Sequence, residues 1–165
     1  MIEGQFENSK MHGKCRVSQP DRFSVDFEYC RGKSVSGSGW KRFGAQGDTL
    51  YEGQFIDDDC SGCPLPQGSG TLTTPAYKYE GEFRQSVFHG RGTIDHPGCM
   101  HTEGQFVGGK LHGRVYKRCL LDSHTEKDGC TLSWNAGDSA VCEYKEGKRH
   151  GECTYVTRPS HSENL

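Results

Sequence analysis

The chain has 165 residues, of which 23 are glycine and only 32% are hydrophobic, and its formal net charge is −2. That composition is too poor in apolar residues for large helices packed round a rich core. The regularly spaced Tyr and Phe and the small net charge argue equally against a disordered chain. Basic and acidic side chains number 11 and 13 in residues 1–100 and nine of each in 101–165, so no basic block of the kind that neutralises nucleic-acid phosphates stands out.

Glycine-rich sequence with evenly placed aromatics reads as short strands joined by turns. The first strand is Ile2-Glu3-Gly4-Gln5-Phe6, followed by His12-Gly13. A second, Phe23-Ser24-Val25-Asp26-Phe27, reaches Ser36-Gly37-Ser38-Gly39 three residues late. The third, Tyr51-Glu52-Gly53-Gln54-Phe55, reaches Gln67-Gly68-Ser69-Gly70 six residues late, across Asp57-Asp58-Asp59-Cys60 and Pro64-Leu65-Pro66. Next come Tyr79-Glu80-Gly81-Glu82-Phe83 with His89-Gly90-Arg91-Gly92, then Thr102-Glu103-Gly104-Gln105-Phe106 with His112-Gly113. A sixth unit starts at Ala140 and reaches His150-Gly151. In four units the His falls ten residues after the first position. The starts, near 2, 23, 51, 79, 102 and 140, lie 21, 28, 28, 23 and 38 residues apart. Residues 1–157 therefore form an array of about six repeats, and 158–165 form a polar tail. The long last interval leaves Leu120–Gly137 as either a further, unreadable repeat or a structured loop.

Alternation along a strand puts Tyr79, Gly81 and Phe83 on one face and Glu80 and Glu82 on the other. Arg84 to Phe88 is expected to make the turn, and the chain to return with Gly90, Gly92 and Ile94 on one face. Glycine weakens a strand, so its recurrence implies a ring from a neighbouring strand lying on bare backbone. A lone hairpin is marginal in water, whereas stacked hairpins cover each other's aromatic faces. Six hairpins give a twisted ribbon roughly 55–60 Å long.

The pattern Y-E-G-x-[FW], a short turn, then H-G-x-G resembles the MORN repeat (membrane occupation and recognition nexus). The resemblance runs from Ile2 to about Val156 and is fullest in the unit that starts at Tyr79. It implies an all-β fold, an elongated twisted antiparallel sheet of stacked β-hairpins. Members of this family act as protein-interaction platforms and as membrane-associated modules of junctional and cytoskeletal proteins. They also precede catalytic domains, without being catalytic themselves. The chain departs from the pattern at several positions. Val25 and Cys142 replace the first-strand Gly, and Cys15, Val115 and Cys153 replace the last Gly of the second strand. Thr102 and Ala140 replace the leading aromatic.

Chemical sites are weakly signalled. The repeated His residues would lie about 9–10 Å apart, too far to share one ion as ligands. Cys60-Ser61-Gly62-Cys63 is a lone CxxC without a matching second pair. Asp57-Asp58-Asp59 lacks the spacing of an EF-hand loop and reads as a solvated acidic turn. Neither a nucleophile elbow nor a phosphate-cradling glycine loop is present. Nine Cys, an odd number, without a basic and apolar leader after Met1, point to a reduced, intracellular chain.

The expected function is that of a non-enzymatic scaffold or adaptor, cytoplasmic and linked to cytoskeleton or membrane. It would bind a protein partner, with no cofactor, metal or nucleic acid. Tyr51, Phe55, Tyr79, Phe83 and Phe106 are the candidate partner anchors, since aromatic residues dominate interface hot spots. The competing reading makes them an internal stack. One alternative is a peripheral module for anionic lipid such as phosphoinositide, using Lys110, Arg114, Lys117, Arg118, Lys145, Lys148 and Arg149. Another is the regulatory region of a larger enzyme. An opening strand without a cap points to a fragment, a covering partner or self-association through repeat ends.

Overall fold

The computed structural model describes residues 1–44, 46–57, 63–120, 124–127 and 131–157, with 124–127 and 131–134 described by their backbone alone. Every regular element in it is a strand. The first ten are β1 (Ile2–Glu7), β2 (Lys10–Gln19), β3 (Phe23–Cys30), β4 (Lys33–Phe43), β5 (Thr49–Ile56), β6 (Leu65–Thr73), β7 (Lys78–Arg84), β8 (Val87–His96), β9 (Met100–Val107) and β10 (Lys110–Cys119). They are followed by β11 (His124–Lys127), β12 (Thr131–Trp134), β13 (Ser139–Lys145) and β14 (Lys148–Val156). Twelve strands form one open antiparallel sheet in chain order, with β10 paired directly to β13. The Leu120–Gly137 interval holds a separate two-stranded ribbon, β11 with β12. Its base is pinned by backbone bonds from Gly137 N to Cys119 O (3.0 Å) and from Cys119 N to Asp138 O (2.8 Å).

Five of the hairpins turn more tightly than the spacing of the repeat implies. In place of a five-residue loop from Arg84 to Phe88, only Gln85 and Ser86 make the turn, and β8 begins at Val87. Both turn residues have positive φ, 50° and 67°. The same holds for Asn8-Ser9, Arg31-Gly32, Gly108-Gly109 and Glu146-Gly147. Two consecutive left-handed residues are the hairpin turn whose twist matches that of the strands. Successive turns are tied to one another, because a turn amide donates to the carbonyl just past the preceding turn. Gly32 N reaches Met11 O at 2.8 Å, Ser86 N reaches Pro66 O at 2.8 Å, Gly109 N reaches Phe88 O at 3.0 Å, and Gly147 N reaches Leu111 O at 2.9 Å.

The second strand of a hairpin carries a β-bulge. Gly81 pairs with Gly92 but Glu82 pairs with His89, so Gly90 and Arg91 have no opposite residue in β7. Gly90 takes a φ of +59°, and its repeat equivalents Gly13, Gly68, Gly113 and Gly151 take +66°, +73°, +67° and +80°. The glycine after the repeated His is therefore a bulge residue that needs the left-handed conformation. It is not the ring-bearing position expected of it. The ring-bearing glycine of the second strand is Gly92, where an added Cβ would lie 2.5 Å from the Tyr79 hydroxyl.

In the third and fourth hairpins two side chains stabilise the bulge from opposite faces. From the aromatic face, the hydroxyls of Tyr51 and Tyr79 donate to the carbonyls of Gln54 (2.8 Å) and Glu82 (2.9 Å). From the other face, the side chains of those same two residues accept the bulge amides, Ser69 N at 2.9 Å and Arg91 N at 3.2 Å. This arrangement accounts for Tyr, Gly, Gln or Glu, and His-Gly recurring together, since a bulge frees backbone groups that need new partners.

Candidate functional site

The five expected aromatic anchors are the core of the sheet. Tyr51 and Tyr79 are 0% exposed, Phe106 2%, Phe55 3% and Phe83 4%. Their rings meet edge to face along the sheet, Tyr51 with Phe55 at 5.0 Å and with Phe83 at 4.8 Å, and Tyr79 with Phe83 at 5.1 Å and with Phe106 at 5.3 Å. Phe88 stacks flat on Tyr79 at 3.8 Å. Offset and T-shaped contacts of this kind exceed simple area burial. Burial raises the phenol pKa of both Tyr51 and Tyr79 to about 12. The stack is thus internal, and these rings present almost no surface to a partner.

The opposite face is polar and open. Two grooves lie on it. One of about 960 Å³ runs over the first hairpins, with Lys14, Arg16, Asp26, Glu28, Ser38 and Gln54 in its lining. Within it Arg16 grips Asp26 through two bonds, Nε to Oδ1 at 2.6 Å and Nη2 to Oδ2 at 3.0 Å. That pairing raises the Arg16 pKa and holds the Asp26 carboxyl below its usual range. The other groove, about 650 Å³, is lined by Arg91, Thr93, Glu103, Arg114, Tyr116 and Val141 among others. Register aligns Thr93, Glu103, Tyr116 and Val141 in one row across β8, β9, β10 and β13, with Arg91 opposite Gln105 in the next row.

The seven basic residues of the lipid alternative do not gather in one place. Lys117 is buried on the aromatic face, its Nζ 5.1 Å from the centre of the Tyr144 ring. Arg149 lies on that face too, with its Nε 3.4 Å from the Tyr144 hydroxyl and its Nη1 3.2 Å from that of Tyr155. Arg114 and Arg118 alternate onto the polar face, and Lys110, Lys145 and Lys148 flank the turns of the last two hairpins. A salt-dependent surface would have only the last three at the ribbon's margin.

The remaining chemical candidates are dispersed. Among the described residues, no three His, Cys, Asp or Glu side chains are placed to hold a metal ion. The CxxC falls partly outside the described residues, as do Asp58, Asp59 and the 158–165 tail. Cys63 accepts a hydrogen bond from Lys41 Nζ at 3.1 Å, and the same ammonium donates to Pro64 O at 2.7 Å. Cys142 and Cys153, directly opposite in β13 and β14, are joined by a disulfide. Cys15, which is buried, and Cys30, which is exposed, are free thiols. Burial and the neighbouring Cys119 raise the pKa of Cys99.

Sequence reasoning passed over Arg91, Tyr116 and Val141. A signal for the first existed: the residue after the bulge glycine is Lys14, Ser69, Arg91, Arg114 and Glu152 in five of the hairpins, a position that the bulge leaves without an opposite residue in its own hairpin.

No match was found among curated proteins. The segments that a family model recognises fall on the first, fourth, fifth and sixth hairpins of the main sheet, and the two hairpins with displaced second strands are passed over. MORN repeats are present in this chain: the family model of the MORN repeat matches residues 3–21, 79–97, 103–114 and 143–158.

Proposed function

We propose that this chain is a non-enzymatic scaffold that binds protein partners through the polar face of its sheet. The observation that carries this reading is the division of labour between the two faces. The aromatic face is consumed by its own ring stack, whereas the polar face offers two grooves that mix charged, amide and apolar groups. Interfaces of transient partners have this mixed composition, with an apolar centre and a polar rim. A rigid sheet also holds such groups at fixed spacing, which reduces the ordering cost of association. A cytoplasmic setting, with attachment to cytoskeleton or membrane through the partner, fits the same reading.

The test compares cross-linked capture of protein partners with sedimentation on vesicles containing phosphoinositide, both at physiological salt. The expected result is capture by the wild-type chain, loss of capture in a Ser38→Lys/Tyr116→Lys variant of unchanged melting temperature, and no sedimentation. Salt-sensitive sedimentation that depends on Lys110, Lys145 and Lys148, without protein capture, would replace the scaffold with the anionic-lipid module.

A further inference from the structure

We infer that Arg91 and Arg114 form a two-rung clamp for an acidic segment of a partner protein, seated in the groove that Tyr116 and Val141 line. This inference rests on the polar face being the docking surface, and it assigns a site and a chemistry to that face.

Arg91 and Arg114 occupy the same position in neighbouring hairpins, one residue past the bulge glycines Gly90 and Gly113. Gln105 of β9 pairs with Arg91 and with His112, so it stands between the two arginines' strands. One carboxylate above its amide would be a strand spacing, about 4.8 Å, from either arginine-bearing strand. Both arginines are exposed and line the same groove. On the same face Arg16 is held by Asp26 and Lys78 by Glu80, whereas neither Arg91 nor Arg114 is in an ion pair among the described residues. A free guanidinium fork is suited to the bidentate recognition of an anion.

The rest of the groove selects which anion. Tyr116 and Val141 are half-buried there and leave an apolar surface that a free phosphate would not cover. Glu103 stands in the same row, opposite Tyr116, and repels dense negative charge such as a phosphate cluster or a continuous anionic membrane. Single carboxylates separated by apolar side chains meet both conditions. The occupant is therefore a peptide segment in which aspartate or glutamate alternates with aliphatic residues.

The experiment uses the full chain, isotope-labelled, and three fluorescent decapeptides that alternate leucine with aspartate, with asparagine or with lysine. Binding is read by anisotropy, and the arginine Nε–Hε resonances are followed by NMR. The leucine–aspartate peptide should bind at least tenfold more tightly than the leucine–asparagine peptide and shift the resonances of Arg91 and Arg114. Arg91→Gln/Arg114→Gln should abolish that preference without changing the melting temperature. Arg91→Glu/Arg114→Glu should transfer it to the leucine–lysine peptide. Equal binding of the aspartate and asparagine peptides, or a preference that survives both double variants, would overturn the clamp. If partner capture nevertheless persists in Arg91→Gln/Arg114→Gln, the clamp fails and the scaffold stands; loss of capture for every polar-face variant and for the wild type would remove the scaffold itself. Tighter binding of inorganic phosphate or of vesicles than of the leucine–aspartate peptide would also overturn the proposal.

Discussion

At the scale of residues, a tyrosine and a glycine pair define each well-formed repeat. Tyr79 lies over Gly81 and Gly92, and a Cβ at either glycine would come within 2.5 Å of its hydroxyl. Wherever the leading aromatic is lost, a larger residue fills the vacated place. Ile2 accompanies Cys15, Thr102 accompanies Val115, and Ala140 accompanies both Cys142 and Cys153. Those departures were visible in the sequence one at a time, but their coupling was not, because the partners meet only once the strands are in register. Gly92→Val should therefore cost about 2–3 kcal/mol in the wild type through overpacking. In a Tyr79→Thr background it should cost at least about 1 kcal/mol less, a coupling that a double-mutant cycle of chemical denaturation measures. The turns make a second residue-scale case. Ser86 is held at a φ of +67°, which a residue with a Cβ adopts at a cost. Ser86→Gly should stabilise the chain by about 0.5–1 kcal/mol, seen as a higher denaturation midpoint. The sequence carries Gln85-Ser86 here and neither Asn-Gly nor Asp-Gly, so the two-residue turn has no sequence signal of its own.

At the scale of elements, the ring stack and the last hairpin hold the sheet together by different means. The raised phenol pKa values of Tyr51 and Tyr79, about 12 against 10 for an ordinary tyrosine, have a consequence for stability. A folded-state pKa above the unfolded value means that the stabilisation is complete below pH 10 and is lost as pH rises towards 12. Denaturation midpoints should thus fall steeply between pH 10 and 12, by the order of 2 kcal/mol per ring; Tyr51→Phe/Tyr79→Phe should flatten that slope. In the last hairpin the Cys142–Cys153 disulfide, at a sequence separation of 11, closes the cross-strand pair. Reduction should remove about 2–3 kcal/mol of local stability by the loop-entropy estimate. Hydrogen exchange in β13 and β14 should accelerate on adding a dithiol while β5 to β8 stay protected. The strands themselves were legible from the two-residue alternation of Tyr, Gly and Phe. The bulges were not, because a glycine that needs positive φ and one that lies under a ring look alike in sequence. The β11–β12 ribbon lies where the repeat pattern stops, and its strands carry none of the repeat's glycines.

At the scale of the molecule, stacking by successive hairpins buries the central ring stack of one face and leaves the other face as a regular array of polar side chains. This division assigns the aromatic residues to stability and moves the candidate site to residues that alternate with them. The array was readable from the repeat alone, as was its all-β class. The site was not, since aromatic residues are good anchors in general and only the folded sheet shows that these are already engaged. Tyr116 and Val141, which line the second groove, carry no motif beyond strand alternation. The most direct measurement of the account's claim is site-specific photo-cross-linking of captured partners in a cell lysate. A benzophenone amino acid would be placed at Gln54 or Tyr116 on the polar face and, for comparison, at Leu72 or Ile94 on the margin of the aromatic face. The account predicts cross-linked adducts from Gln54 and Tyr116 and none from Leu72 or Ile94. Adducts confined to Leu72 and Ile94 would contradict it and return the binding surface to the aromatic side.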